Sequence, residues 1–403
     1  MKQKVSFIEK ANQNIGSAFV NGTVPITALM SEIIPELCRV PYDYLYRDDA
    51  VAMAECSLLV QEYLDIDMVF ANRDIYALEG EAMGAELRFF PDHCPDYVRS
   101  NPLIRDERDL DKIKFHGLES GRFPYLLEYC RAYKRFTGLD HFPQISAPWT
   151  LAANLCGVEE LVMAAIEDPE FVHEVMRRVV DDFQVPMLRA LAEVLPGFTQ
   201  ITMADAFGSV PIVDNHIIDE FIRPYLEREL EKLNMPGVTL FDTSYFGASK
   251  LEGAKRKHFE DFSIWANQWY LCIDPDLEAL GIEYARRVAD EHKTVLHAGV
   301  GAKMMETYTP EQIVNRIKGI MLGGKRGSSP MFFLFNDLTT NTPLENIHAA
   351  VQAVRIYGAP EADDNTAYEA KKHVSFEEFI RTKRQENTEH YEFNWLDKSK
   401  LFV

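Results

Sequence analysis

Four polar side chains stand where short apolar runs end. Asp205 follows the run 199–204, Asp242 follows 238–241, Asp274 follows 269–273, and His297 closes 294–297. Carboxylates and imidazoles exchange protons near neutral pH or bind metal ions, so these four are the catalytic candidates. They can share a site only if the fold gathers the ends of four separate runs. Three carboxylates in one poorly solvated mouth would raise one another's pKa unless a cation, a histidinium or a substrate group compensates, and that tension is the reason to expect a function there. Each also has a bland reading. Asp205 and Asp242 could cap the loops that follow, Asp274 precedes Pro275 and could serve as an N-cap, and His297 could be a structural histidine bonded to a neighbouring loop.

A second group, Asn72, Asp74, Tyr245, Asn336 and Asp337, falls near the ends of the same kind of run and offers polar contacts for a substrate. Trp149 joins it as a stacking platform, against its reading as a packed aromatic beneath the mouth.

The elements that must position these residues alternate between two periodicities. Apolar or β-branched runs at 67–71, 143–146, 199–204, 238–241, 263–266, 269–273, 294–297 and 331–335 predict strands. Between them lie segments of helical spacing near 119–136, 214–233, 276–291, 310–322 and 343–356. Thr309-Pro310-Glu311-Gln312 and Thr342-Pro343-Leu344-Glu345 each offer a Thr N-cap, a Pro at the first helical position and a residue able to close a capping box. Asp168-Pro169 opens another helix, whose apolar face recurs through Phe171, Val172, Val175, Met176, Val179, Val180 and Phe183. Short buried runs alternating with helices predict an α/β fold with a parallel sheet, and about eight of them suit a (β/α)₈ TIM barrel better than an open sheet. No GxGxxG or GxxxxGK[ST] follows the early runs, which weakens a nucleotide-binding alternative. Residues 1–60 read as a helical and loop-rich lead-in, 61–360 as the barrel, and 361–403 as a charged extension or tail able to pack on a partner subunit.

Bulk properties exclude several partners. A net charge of −21 leaves no basic stripe for a phosphate backbone and repels anionic lipid, so neither nucleic acid nor a membrane is expected. The six cysteines form no CxxC pair and fit a reducing compartment, and no stretch offers 18 consecutive apolar residues. The expected location is the cytoplasm.

Four stretches in order resemble the uroporphyrinogen decarboxylase superfamily over about residues 40–357. They are Phe70 to Glu86 with Met83-Gly84; Ser146-Ala147-Pro148-Trp149-Thr150-Leu151-Ala152; Asp205-Ala206-Phe207-Gly208-Ser209 with the later Phe221-Ile222-Arg223-Pro224-Tyr225-Leu226; and Phe335-Asn336-Asp337 running into Asn341-Thr342-Pro343-Leu344-Glu345-Asn346. The resemblance implies a barrel with its site at the C-terminal ends of the strands. It departs from true porphyrinogen decarboxylases at their working positions. There is no arginine before Arg39 where that branch has an arginine-rich stretch, 70–74 reads Phe-Ala-Asn-Arg-Asp, and Asn336-Asp337-Leu338 replaces a "GHG". The corrinoid-dependent methyltransferase branch is the better match, although Phe241-Asp242-Thr243 lacks the His-x-Cys of its coenzyme M type. A third type carries two carboxylates and one histidine, which Asp261, Asp276 and His297 match in spacing. This makes Asp276 and His297, with Asp261 or with Asp242, the metal candidates. With 63 acidic residues and 11 histidines such a match also arises readily by chance, and Asp276 in a first helical turn has a purely electrostatic reading.

The resulting expectation is an enzyme that passes a methyl group from a small methylated donor, such as a methyl ether or amine, to a corrinoid on a partner protein, with zinc as the expected metal. The alternative is a metal-free decarboxylase or other lyase of a porphyrinogen-like or smaller polar carboxylate, and a non-catalytic binding role ranks third. A homodimer is the expected assembly.

Overall fold

The computed structural model describes residues 6–71, 73–141, 143–195, 197–242, 244–386 and 391–402, apart from the side chains of Ser6, Ala71, Phe241 and Asp242. Asn72 and Thr243 lie outside the described residues.

Among the described residues eight parallel strands form the centre: β1 (Ile26–Leu29), β2 (Met68–Ala71), β3 (Gln144–Ser146), β4 (Gln200–Ala204), β5 (Thr239–Asp242), β6 (Tyr270–Ile273), β7 (Leu296–Gly301) and β8 (Met331–Asn336). They make two arcs, one in the order β2-β1-β8-β7-β6 and one in the order β3-β4-β5. Among the described residues no ladder joins β2 to β3 or β5 to β6. Arg73 spans the first of these seams, where its Nη2 donates to the carbonyl of Gln144 at 3.3 Å. A short antiparallel ribbon, Leu87–Arg88 with Asp96–Tyr97, stands apart from the arcs.

The expected number of strands is right, but one member differs. Residues 263–266, expected as a strand, end the helix Gly253–Asn267, which buries Phe259, Phe262, Ser263 and Ala266. The replacement, β1, lies in the stretch read as helix and loop, and it pairs with both β2 and β8. Asp67 secures its start: Oδ2 accepts from Ile26 N at 2.8 Å, and Arg355 Nη1 donates to the same oxygen at 2.6 Å.

Helices cover the outside of the arcs and shut the backbone of the parallel strands away from water. Thr309 caps Pro310–Gly324 through a complete capping box with Gln312, as its sequence predicts. Asp168 caps Pro169–Arg178 by accepting from Phe171 N at 3.2 Å. At Leu344–Tyr357 the expected cap is absent: Pro343 holds the N-cap position, and Thr342 Oγ1 instead accepts from Thr339 N at 3.1 Å.

The C-terminal extension docks on its own chain. Glu55, in the helix Ala50–Tyr63, accepts from Glu392 N at 2.9 Å, Phe393 N at 2.7 Å and Trp395 Nε1 at 3.2 Å. Lys400 N then donates to Arg39 O at 3.0 Å. No single described helix is long and apolar enough to cross a membrane. One sharply bent pair passes by length and composition, but its first member, Pro148–Cys156, is buried throughout.

Candidate active site

A cavity of about 380 Å³ lies between the two arcs. Side chains alternate across a strand, so every second residue faces it. Its inner wall is apolar on the larger arc, with Leu29 of β1, Phe70 of β2, Leu271 and Ile273 of β6 and Leu334 of β8, while the smaller arc adds Gln144 of β3 and Thr202 of β4. On β7 the inward position level with Leu334 is Gly299, where a Cβ would come within 2.3 Å of the Leu334 carbonyl oxygen and 2.8 Å of Ile273, so only glycine lets the neighbouring strands close there.

Beyond the C-terminal ends of the strands the lining turns polar, with Arg73, Asp96, Arg99, Asn154, Asn336 and Asp337. Most of these charges are already paired. Asp74 also lines the cavity, but it binds Arg122 at 2.7 Å and its Oδ1 accepts from Tyr76 N and Ala77 N. Arg99 pairs with Asp96 at 2.7 Å and donates to Asn154 Oδ1 at 3.0 Å. Asp337 is different. It sits in the left-handed region at φ 74°, its Oδ1 is shut away from solvent without a donor, and burial, reinforced by Glu32 and Glu306, pushes its carboxyl up to about 6.

His297 lines the same cavity at its opposite end. It was expected at a strand terminus, yet β7 runs to Gly301, so His297 is the second residue of its strand. Its ring lies between Trp269 (centroids 4.8 Å apart, 13° between planes) and Phe332 (5.1 Å, 17°), with Phe70 at 5.7 Å. Phe19, from the helix Ser6–Val20, meets the outer edge of Phe332. These rings close the floor. His297 is 2% exposed, its Nδ1 has no hydrogen-bond partner, and burial alone lowers its pKa to about 3, so the imidazole is neutral at physiological pH.

The expectation that Asp205, Asp242, Asp274 and His297 converge fails for two of the four. Asp205 is fully buried outside the cavity, accepting from Thr150 Oγ1 at 2.6 Å and Tyr245 OH at 2.9 Å while its own N donates to Ser244 Oγ. Its pKa is raised to about 6 by burial, against those two hydrogen bonds. Asp274 also lies off the cavity, with Arg316 at 3.1 Å, and burial raises its carboxyl despite that cation. Burial is therefore the leading cause of the shift at both groups, ahead of any repulsion between acids. The side chain of Asp242 is outside the description.

Two of the substrate candidates become structural as well. Trp149 is buried and donates to Phe207 O at 3.2 Å, and Tyr245 is buried as the donor to Asp205. Asp74, Asn336 and Asp337 do line the cavity, while Asn72 lies outside the described residues.

The metal candidates are dispersed. Asp261 is on the outer helix, paired with Lys257 at 2.8 Å and with His292 at 3.4 Å. Asp276 is 2% exposed and its carboxylate is saturated by Gly247 N, Ala248 N, Ser249 N and Ser249 Oγ. Among the described residues no three His, Cys, Asp or Glu side chains gather as ligands, so the donor set that zinc requires is not present among them.

The sequence reading passed over Arg73, Arg99 and Trp269. The alternation Trp269, Leu271, Ile273, running from the residue before β6 into that strand, is the signal that would have placed Trp269 on the inner face. Arg73 and Arg99 carry no comparable sign, because their placement depends on loops.

Eight parallel strands in two arcs, helices outside, and a cavity whose polar end lies beyond the strands' C-terminal ends define an α/β enzyme architecture in which loops carry the chemistry. Within that class the family is clear. The uroporphyrinogen decarboxylase (URO-D) family model matches residues 44–357, and the chain belongs to that family. A methylated-thiol–coenzyme M methyltransferase of Methanosarcina mazei is 25% identical over 325 residues, covering 78% of this chain and 80% of that protein. A uroporphyrinogen decarboxylase of Francisella philomiragia is 25% identical over 244 residues, covering 58% and 67%. The solved structure of a methyltransferase from Methanosarcina mazei superposes with a TM-score of 0.66 at 16% identity, over 85% of this chain and 98% of that one.

Proposed function

We propose that this chain is a methyltransferase that takes a methyl group from a small methylated donor, a methyl ether or amine, and passes it to a corrinoid carried by a partner protein at the polar end of the cavity. The observation that carries the reading is the cavity's charge inventory. A porphyrinogen-sized polycarboxylate needs several free guanidinium groups. The lining offers two arginines: Arg99 is already paired, and Arg73 is 2% exposed, engaged with two backbone carbonyls at the β2–β3 seam. A largely apolar wall suits a small, weakly charged donor. The resemblance to the Methanosarcina mazei methyltransferase over most of both chains supports the same choice.

The corrinoid would supply the nucleophile that accepts the methyl group. The chain's own part is to orient the donor against Leu271, Ile273 and Leu334, exclude water, and return a proton. When the carbon–oxygen or carbon–nitrogen bond breaks, the electron pair stays on the heteroatom, which needs a proton to leave as a neutral alcohol or amine. Asp337, raised to about 6, holds that proton on a fraction of molecules near neutral pH. No step is assigned to zinc, for which the described residues do not supply ligands. In this reading the two arcs act as one (β/α)₈ barrel, and the six free cysteines fit a cytoplasmic enzyme.

The decarboxylase relatives favour a second reading, in which Asp337 protonates the carbon left by departing CO₂. Incubation with chemically reduced cob(I)alamin and a panel of methyl ethers and methylamines distinguishes the two. Methylcobalamin formation that depends on enzyme and donor is expected. Failure across the panel, together with CO₂ release from a carboxylate, would overturn the methyl-transfer reading.

A further inference from the structure

We propose that His297 is a specificity-determining residue at the floor of the cavity: its neutral imidazole hydrogen-bonds an uncharged polar group, a hydroxyl or amide, at the far end of an apolar ligand. The inference rests on the cavity being the substrate site, as in the function proposed above.

Depth is the first argument. His297 lies four residues before the end of β7, and at about 3.3 Å per residue that is roughly 13 Å below the strand terminus. A methyl group transferred at the mouth and a contact with His297 thus belong to opposite ends of one elongated molecule. On the larger arc the wall between them is Leu29, Phe70, Leu271, Ile273 and Leu334, which favours an apolar body such as a single ring or a short chain, although Gln144 and Thr202 line the facing arc.

The second argument is the unmet hydrogen bond. Buried polar atoms are nearly always paired, and leaving one unpaired costs free energy that a ligand can recover. His297 lines the cavity and is 2% exposed; among the described residues neither ring nitrogen has a hydrogen-bond partner, and Nδ1 is sealed from solvent while Nε2 is not, so Nε2 is the atom a ligand can meet. Its ring plane is fixed between Trp269 and Phe332, so the polar edge has a defined direction before any ligand arrives. Burial holds the imidazole neutral, so it offers no charge to compensate a carboxylate at the floor. An uncharged donor or acceptor is the complementary group. A site built to hydrogen-bond a polar group rejects the analogue that lacks it far more strongly than a greasy site rejects a missing methyl.

The test needs no corrinoid, so it is independent of whether methyl transfer itself is correct. Binding of phenol, toluene and benzoate to the full chain is measured by calorimetry, in the wild type and in His297→Phe, which keeps a flat ring in the stack. The wild type is expected to prefer phenol to toluene by about tenfold or more and to discriminate against benzoate, and the variant to lose the preference. Should the variant fold poorly, imidazole ¹⁵N shifts of wild-type His297 report the same contact, and they should move with phenol but not with toluene. Equal affinity for phenol and toluene, benzoate bound as tightly as phenol, or unmoved His297 shifts would each overturn the assignment. Loss of the cobalamin reaction with the phenol preference intact would instead refute only the methyl-transfer reading.

Discussion

Replacing Asp205 by Asn should leave stability nearly unchanged at low pH and raise it at neutral pH. The carboxylate is fully buried, accepts from Thr150 and Tyr245, and has a pKa raised from 3.8 to about 6 by burial. A raised folded pKa means that between about pH 4 and pH 6 the unfolded chain ionises while the folded chain keeps its proton. The folded state then binds more protons, so stability falls as pH rises through that window. At 1.36 kcal/mol per unit, the two-unit shift amounts to at most about 3 kcal/mol, fully present below pH 4 and lost by pH 7. Asparagine has no such titration, and like the protonated acid present at pH 4 it sets one donor of its own against the hydroxyls of Thr150 and Tyr245. The variant should therefore match wild type to within about 1 kcal/mol at pH 4 and be up to about 3 kcal/mol more stable at pH 7.5. For a chain of this size, 1 kcal/mol corresponds to roughly 1 °C in the thermal midpoint. The assay is differential scanning calorimetry of both proteins at the two pH values under one scan rate, reading the difference in midpoint. A difference independent of pH would refute the claim that burial, and not a site function, sets the ionisation of Asp205.

Three further outcomes follow from the same geometry. Asp337→Asn should lower kcat by about 100-fold or more and abolish the decline in rate as pH rises through about 6, because the proton lost there is the one the leaving group needs; a pH–rate profile decides this. Arg122→Ala strips the buried cation from Asp74 and Glu81 and should destabilise the fold by about 3–5 kcal/mol, read by denaturant unfolding. Glu55→Ala leaves Glu392 N, Phe393 N and Trp395 Nε1 without their acceptor, so chymotrypsin should cut near Phe393 and Trp395 several times faster while cobalamin methylation is unchanged.

What the sequence made legible depended on whether the signal was local. Pro310–Gly324 could be read from Thr309 to Gln312 because a capping box is closed within four residues. The strand β1 could not: Ile26–Leu29 is four residues long, and it is a strand because β2 and β8 flank it and because Asp67 and Arg355 pin its first N–H from far along the chain. The opposite error at 263–266 has the same origin, since a short apolar run satisfies a strand pattern while its place in a fifteen-residue helix is decided upstream. Among the site residues, strand ends could be named from the sequence, but the direction of each side chain could not. A shift of one residue turns a side chain to the other face, and Asp205 and Asp274 lie one residue beyond the last residues of β4 and β6.

The acids at those positions take on the work that a closed mouth leaves to be done. Loops after parallel strands must find partners for backbone groups that the strand ladders no longer satisfy. Asp276 takes three consecutive N–H groups of the loop at Gly247, Ala248 and Ser249, and Asp205 ties the turn at Phe207 and Gly208 to Thr150 and Tyr245. Gly208 fits there only without a side chain, since a Cβ would stand 2.7 Å from Asp205 Oδ2. Carboxylates committed in this way cannot also serve a substrate or a metal without releasing the loop they hold. Arg73, Gln144, Asp337 and His297 are cavity-lining side chains that keep an unpartnered polar atom, and the last two, at the polar end and at the floor, are the acid and the imidazole among them. One can move a proton near neutral pH and the other, held neutral, can only recognise, so reaction and selection are assigned to opposite ends of the cavity.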